Sequence, residues 1–385
     1  MSDSTTTSIR EWTVDLVRNH CAGAARLELW TIPLYLSVAY SINVVPDPAT
    51  GRPELTAVNY PVLPDGLPDY NWFQDRPQQA AQFAFNSIVS IAFQEMLHIE
   101  LAANLCNAIG ATVDFVGENG SFFPRYDSDS VPYIAVPSEL KDRVRLAPLG
   151  MDSIGLLTWI EHYLPRFPSP PLSTQPRDQY RSIGEFYYAL QHGVDVMWED
   201  LYPQQGSPTV TDLKQKDDFQ TVIHRRRRDW ILEDYQFSVT ISGNSHQARK
   251  CADSLIQAIV CQGEGATEGN HLQVNPAYQL KHGDATEIAL DRWTHWERFS
   301  QIEEILKVAR IETFPVRPES EAGPELKALQ QQLNQTLTSF LETLTANFNT
   351  AESLNLDPMG NLGSLMYQVW KAGGIPELKY CPGSK

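Results

Sequence analysis

The sequence predicts a mainly α protein: a four-helix bundle with additional short helices, a loop-rich insertion and a C-terminal helical extension. Two observations support this class. Several long segments carry apolar residues at helical spacing, and one of them contains a Glu-x-x-His motif at Glu95 and His98. Residues three apart lie on one face of a helix, so this carboxylate and imidazole can bind the same metal ion. Helical bundles build dinuclear iron and manganese centres from such pairs.

Four long helices are predicted from apolar periodicity and from the residues at their ends. They span residues 8–42, 77–109, 245–262 and 285–310. The first has Ser8 as a candidate N-cap and Pro33 as a candidate kink. The second begins at Pro77 and is followed by Gly110, which is the usual placement of these two residue types at helix ends.

Between the second and third long helices the sequence predicts an insertion, at about residues 111–240. Turn residues and short β-branched runs over 111–150 favour loops, with a small hairpin as an alternative. Two shorter helices are predicted at 153–164 and 182–201, separated by the proline-rich connector 165–176.

A final amphipathic helix is predicted over residues 325–347. We divide the chain into a metal-binding bundle, residues 1–315, and a C-terminal helical extension, residues 316–385, that packs on the bundle. The sequence contains no repeat of fixed period and no sharp linker between these two segments.

Composition and charge argue against several classes of protein. The 385 residues include 42% hydrophobic and 20% charged residues, as in ordinary globular proteins. The formal net charge of −17 argues against nucleic acid as a partner, because phosphates would be repelled. The four arginines at 225–228 form the only basic run, which we interpret as a solvated segment beside acidic residues. The most apolar stretch, residues 29–45, is interrupted by polar residues, so we expect no membrane span.

Cysteine usage and the N-terminal residues predict a cytoplasmic protein. The five cysteines form no Cys-x-x-Cys pair, and the first residues lack the character of a signal peptide. The cysteine spacing also excludes a cysteine-rich zinc site. Phosphate-binding glycine loops and the Gly-x-Ser-x-Gly elbow of serine hydrolases are absent from the sequence. A haem ligand among the nine histidines is not excluded.

A dinuclear centre needs several carboxylates and a few imidazoles, and the long helices supply candidates. Glu28 lies in an apolar run, where a carboxylate is costly to bury unless it binds a cation or an arginine such as Arg26. Glu264 lies between two glycines at the end of the third helix, where it is either a ligand or part of a helix stop. His295 in the fourth helix is either a ligand or a core histidine.

The shorter helices add two further carboxylates, Glu161 and Glu185, each among apolar and aromatic residues. Either residue could complete the site or cap a neighbouring helix. Four carboxylates and two histidines suit a di-iron or di-manganese centre. The predicted metal ligands are Glu28, Glu95, His98, Glu185, Glu264 and His295.

Over roughly residues 10–310 the chain resembles the ferritin-like domain of the iminophenyl-pyruvate dimer synthase family. The resemblance is carried first by Leu-Glu-Leu-Trp-Thr-Ile-Pro-Leu-Tyr-Leu at 27–36, Gln-Glu-Met-Leu-His at 94–98 and Asn-Leu-Cys-Asn-Ala-Ile-Gly at 104–110. Further similar segments are Ile-Gly-Glu-Phe-Tyr at 183–187, Gln-Gly-Glu-Gly at 262–265 and His-Trp-Glu-Arg-Phe at 295–299.

The resemblance implies a ferritin-like bundle and oxidative chemistry on amino-acid-derived small molecules in secondary metabolism. Members of that family couple two imines derived from aromatic amino acids on the way to bisindole pigments, and they are much longer than this chain. With the ligand count, it leads us to expect two iron ions, dioxygen and a small-molecule substrate, in a protein that could form a homodimer. His295 lacks an acidic residue three positions earlier, so the second Glu-x-x-His pair is not reproduced.

Two alternatives stay open at this point. The pattern Glu, Glu-x-x-His, Glu, His also resembles manganese catalase, so a di-manganese catalase-like enzyme is one alternative. The other is a non-catalytic ferritin-like scaffold that binds metal. Trp30, Tyr35, Tyr187 and Trp296 are candidates for a substrate pocket or for ordinary core packing.

Overall fold

The computed structural model describes residues 11–64, 67–162, 172–202, 214–216, 240–263, 293–321, 323–352 and 357–382. Within these ranges the chain forms eight α-helices and isolated β-bridges without a strand, so the predicted mainly α class is confirmed. The helices are α1 Val14–Tyr40, α2 Pro77–Ala108, α3 Met151–Ile160, α4 Ile183–Leu201, α5 Ser245–Gly263, α6 His295–Val308, α7 Pro324–Phe348 and α8 Asp357–Lys371.

Four of these helices form a closed ring. The helix α1 packs along α2, α4 packs on α1 and on α5, and α5 packs on α2. Both α1 and α2 are buried on nearly every side, as expected for helices that are apolar all round. This burial accounts for the apolar stretch within residues 29–45. None of the helices in the described ranges is long and apolar enough to cross a bilayer.

The fourth wall of the ring is α4, and α6 packs instead on α3 and α2. The predicted helix over 285–310 begins later than expected, because a capping box defines its first turn. Glu297 N–H donates to the Thr294 side chain at 3.2 Å, and the Glu297 carboxylate accepts from Thr294 N–H at 2.9 Å. Residues 285–292 lie outside the described residues. His295 is therefore the first residue of a helix, which aims its side chain at the helices it packs on.

The ends of the other long helices follow the same local rules. The first helix begins at Val14 and not at Ser8, because the Thr13 side chain accepts a hydrogen bond from Leu16 N–H at 3.2 Å. Residue 8 itself lies outside the described residues. The helix continues through Pro33 without interruption. The bounds of α2 agree with the prediction to one residue, and Gly110 follows it with a φ of +70°.

The first part of the insertion, residues 111–150, is mostly irregular. Residues 111–150 contain two short 3-10 turns, at Glu118–Gly120 and Lys141–Arg143, and the hairpin alternative is wrong for this segment. Its one described bridge is parallel and joins Ile134 to Tyr180. The helix α3 ends at Ile160, which places Glu161 at its C-terminus. Much of the proline-rich connector and all four arginines at 225–228 lie outside the described residues.

The C-terminal residues contain two helices where the sequence predicts one. The helix α7 matches the prediction closely. The sequence pattern misses α8, because proline and glycine interrupt its helical periodicity. It packs against α7 and α1, and Trp370 Nε1 donates to the Ser37 carbonyl of α1 at 2.9 Å. The division of the chain at residue 315 stays a prediction.

Gly363 lets α8 approach α1 closely, and we expect its replacement by alanine to be destabilising. A Cβ at this position would lie 2.4 Å from the Tyr40 ring. We expect Gly363→Ala to lower the free energy of unfolding by about 1–3 kcal/mol in urea denaturation. The matched control is Gly323→Ala, where no atom lies within 4 Å of the added Cβ. Equal stabilities of the two variants would contradict this account of the packing.

Candidate metal centre

Five ionisable side chains from four parts of the fold meet inside the bundle. They are Glu28 of α1, Glu95 and His98 of α2, Glu161 at the end of α3, and His295 at the start of α6. Each is at most 4% exposed, so water cannot solvate their charges. Three carboxylates buried together are costly unless positive charge compensates them.

The five side chains form two groups that share Glu95. In the first, which we name the Glu28 half, His98 Nδ1 lies 3.4 Å from Glu28 Oε2 and 3.4 Å from Glu95 Oε2. In the second, the Glu161 half, His295 Nδ1 lies 2.8 Å from Glu95 Oε1 and 3.5 Å from Glu161 Oε2. One donor atom from each of Glu95, His98 and His295 lies within 4.8 Å of the others.

The outer oxygens of the two flanking carboxylates are hydrogen bonded to buried tyrosines. Tyr187 of α4 donates to Glu28 Oε1, and Tyr35 of α1 donates to Glu161 Oε1. Each carboxylate therefore directs its other oxygen toward a histidine. Of the four aromatic residues considered for a substrate pocket, these two contact the cluster directly. Trp30 Nε1 instead donates to the Arg125 carbonyl at 2.7 Å.

The orientation of the His295 ring is also fixed by a hydrogen bond. His295 Nε2 lies 2.9 Å from Gln94 Oε1, and in the tautomer that donates from Nε2 to this oxygen Nδ1 is unprotonated. The neutral ring then presents the lone pair of Nδ1 to the carboxylates. Metal-binding histidines in proteins are oriented in this way by a partner on the second ring nitrogen.

These residues fit a pair of divalent metal ions. Both Glu95 oxygens and His295 Nδ1 are buried without a well-aligned hydrogen bond, although Glu95 Oε1 and His295 Nδ1 are 2.8 Å apart. Buried polar atoms are rarely left in this state, and a cation among them would satisfy all three. Carboxylate oxygens with imidazole nitrogens are ligands suited to iron and manganese.

The electrostatics of the five side chains supports the same conclusion. Burial raises the pKa of Glu161 to about 7, and burial with the nearby Glu161 charge raises the pKa of Glu95 well above its usual range. Burial lowers the pKa of His295 to about 4. Burial also acts to raise the pKa of Glu28, but hydrogen bonding and charge attraction from His98 outweigh it and lower that pKa. Only a bound cation would let all three carboxylates ionise together.

Glu185 is separate from this cluster. Its carboxylate accepts two hydrogen bonds from the Arg181 guanidinium, at 2.7 and 2.9 Å, and two from the backbone N–H groups of Ser173 and Arg181. These four donors fill the acceptor positions of both oxygens, which leaves none for a metal ion. The arginine four residues earlier on the sequence was a signal for this ion pair.

Glu28 does not form the alternative salt bridge with Arg26. The Arg26 side chain donates from Nε to the Asp114 carbonyl at 2.8 Å and lies over the Phe122 ring. Glu264 lies outside the described residues. Its neighbour Gly263 is at the cluster, since a Cβ built there would be 3.2 Å from Glu161 Oε2 and 3.8 Å from His295 Nδ1.

Comparison with known proteins agrees with this fold. The chain belongs to the ferritin-like family, whose model matches residues 22–304. A similar solved structure is that of a ferritin-like protein from Caulobacter vibrioides, with a TM-score of 0.61 at 23% identity, covering 96% of this chain and 99% of that chain. No curated protein gives a significant match. The ferritin-like part of the sequence resemblance is thus confirmed.

Gly263 is expected to be required for metal binding. In Gly263→Ala the added methyl group would press on Glu161 Oε2, so we expect metal affinity to fall about tenfold or more. Isothermal titration with Mn²⁺ measures this change. Gly155→Ala in α3 is the control, because its Cβ would meet only Arg143 Nη1, at 3.5 Å. An unchanged affinity in Gly263→Ala would contradict the proposed closeness of α5 to the ligands.

The raised pKa of Glu161 predicts how the stability of the metal-free protein changes with pH. This carboxyl has a usual pKa of 4.5 and a folded-state pKa of about 7. Its contribution to stability is complete below pH 4.5 and is lost as the pH rises through about 7. Glu161→Gln cannot ionise, so its free energy of unfolding should fall less across this window than that of the unsubstituted protein. Parallel curves from urea denaturation at several pH values would contradict the prediction.

Proposed function

We propose that this member of the ferritin-like family is a non-haem oxidoreductase that binds two iron ions and uses dioxygen to oxidise a small amino-acid-derived substrate. The observation that carries the proposal is the position of Glu95. Its two oxygens face two histidines from different helices, and each histidine faces one further carboxylate. A carboxylate shared in this way would help to hold both metal ions.

The ligand set follows from the two halves of the cluster. Glu28 and His98 would hold one ion, Glu161 and His295 the other, and Glu95 both. Glu264 would supply the fourth carboxylate, because the preceding residue, Gly263, borders Glu161 and His295. This set differs from the sequence prediction in one member, with Glu161 in place of Glu185. Four carboxylates would balance the four positive charges of two divalent ions.

The bound iron would supply electrons to dioxygen. The surrounding protein would control the access of water and substrate to the iron. The ligands are buried, so their charges act at low dielectric and bulk water is kept away from them. The Tyr35 ring lies beside Glu161 and packs edge-to-face on Phe299, with 5.2 Å between the two ring centroids. The substrate class rests on the motifs shared with the iminophenyl-pyruvate dimer synthase family. A cytoplasmic location and a homodimer stay predictions.

A second candidate is a di-manganese catalase-like enzyme. The donor set of carboxylates and imidazoles serves manganese as well as iron, and it supports this alternative equally. The two functions differ in substrate. Rapid release of dioxygen from hydrogen peroxide by the manganese-loaded protein, without oxidation of an organic substrate, would favour the catalase-like function.

Elemental analysis of the natively purified protein tests the proposal directly. We expect about two iron ions per chain, and near-complete loss of both in Glu95→Ala, because both ions share this ligand. Glu185→Gln is the matched control, a buried carboxylate bonded to Arg181, and should retain the metal. Reductant-dependent dioxygen consumption should follow the iron content across the three proteins. A metal-free protein that also fails to bind added Fe²⁺ would contradict the proposal and favour a scaffold.

A further inference from the structure

Each of the two flanking carboxylates of the candidate metal centre, Glu28 and Glu161, is hydrogen bonded to one tyrosine. Tyr187 donates its phenolic hydrogen to Glu28 Oε1, and Tyr35 donates to Glu161 Oε1. Both tyrosines are at most 1% exposed. They come from different helices and contact different carboxylates, but the arrangement is the same on both sides. Neither contact is needed to explain the helix packing, since both rings are already surrounded by the core.

In each flanking carboxylate, Glu28 and Glu161, the two oxygens have different partners. In Glu28, Oε1 is bonded to a phenol, while Oε2 lies 3.4 Å from His98 Nδ1. In Glu161, Oε1 is bonded to a phenol, while Oε2 lies 3.5 Å from His295 Nδ1. A hydrogen bond from a hydroxyl to an ionised carboxylate is short and directional, so it fixes the plane of the carboxylate. The oxygen that faces the histidine is the one without a phenol partner, and we expect it to be the metal-binding oxygen.

Glu95 differs from these two carboxylates in the way its oxygens are used. Neither of its oxygens has a well-aligned hydrogen bond, and each faces one histidine. Neither oxygen of the central carboxylate has a phenol partner, whereas one oxygen of each flanking carboxylate does.

We propose that Tyr35 and Tyr187 are positioning residues that each restrict one flanking carboxylate to a single metal-binding oxygen, Tyr187 in the Glu28 half and Tyr35 in the Glu161 half. The proposal rests on the proposed dinuclear site. A carboxylate that binds through one oxygen uses one coordination position, where a two-oxygen mode would use two. By favouring binding through one oxygen, the tyrosines would leave a coordination position open on each metal ion. An oxygen-containing ligand from outside the protein needs such a position.

Phenylalanine variants test this role, because they keep the ring and remove only the hydroxyl. Tyr180→Phe is the matched control. Tyr180 is also 1% exposed, but its hydroxyl accepts from Arg177 N–H at 2.9 Å and lies 3.1 Å from His20 Nε2. Among the described residues, the partners of its hydroxyl all lie outside the cluster. Any general cost of burying a phenol or of losing a core hydrogen bond is therefore present in the control.

The probe is Co²⁺, whose visible absorption reports coordination number, titrated into the metal-free protein and its variants. We expect the protein and Tyr180→Phe to bind two Co²⁺ ions with the same spectrum. In Tyr35→Phe and Tyr187→Phe, one of the two binding steps should weaken about tenfold, with lower absorption intensity as the freed oxygen raises the coordination number. Loss of the hydrogen bond in one half should leave the other binding step nearly unchanged.

Other outcomes separate this proposal from the proposed function. If Tyr35→Phe and Tyr187→Phe bind two ions with the affinity and spectrum of the unsubstituted protein, the positioning role is wrong and the dinuclear site stands. Equal weakening in all three phenylalanine variants would assign the hydroxyls a general structural role and also overturn it. If the unsubstituted protein binds no Co²⁺, the failure lies with the dinuclear site itself.

Discussion

The contact on which the site depends is the one between the buried Glu95 carboxylate and two histidines, His98 and His295. Glu95 is 1% exposed and lies in the most enclosed helix of the ring, where no water offsets its charge. The ends of α3, α5 and α6 meet at the cluster around this carboxylate. The end of α3 adds a second buried carboxylate, Glu161, whose charge needs the same compensation. The interior of the bundle is therefore organised around a charge that a metal ion would balance.

The arginines close to the site in sequence have other partners, which leaves the carboxylates to a different cation. Arg26 bonds the Asp114 carbonyl, and Arg181 holds Glu185. Arg298 is buried near His295 and donates to Ser90 Oγ and to the Trp293 carbonyl. A guanidinium placed among Glu28, Glu95 and Glu161 would have neutralised them and closed the site. Among the described residues the partners of these three carboxylates are the histidines and tyrosines of the cluster.

Local rules predict the fold well where a helix and its ends depend on neighbouring residues. Periodicity with Pro77 and Gly110 gives α2 to within one residue. The same rules fail when a stronger cap is present, as Thr13 and Thr294 each start a helix later than the apolar pattern indicates. They also miss α8, because its glycine at 363 serves a contact with Tyr40 and lowers helix propensity. Residues 111–150 show no periodicity, so no pattern predicts the path of this irregular segment.

The sequence by itself determined the helical class and the central pair Glu95 and His98, because a fixed spacing on one helix defines their geometry. It also indicated Glu28 and His295 as candidates from their apolar surroundings. Only the tertiary structure showed that Glu161 lies in the cluster and Glu185 does not, although Arg181 in the sequence was a signal for the ion pair of Glu185. One lies beside His295 and the other beside an arginine. The reason is physical: the role of a buried carboxylate depends on the group that faces it. Arg181, four residues from Glu185, pairs with that carboxylate, whereas His295 is far from Glu161 in sequence and reaches it only through the fold.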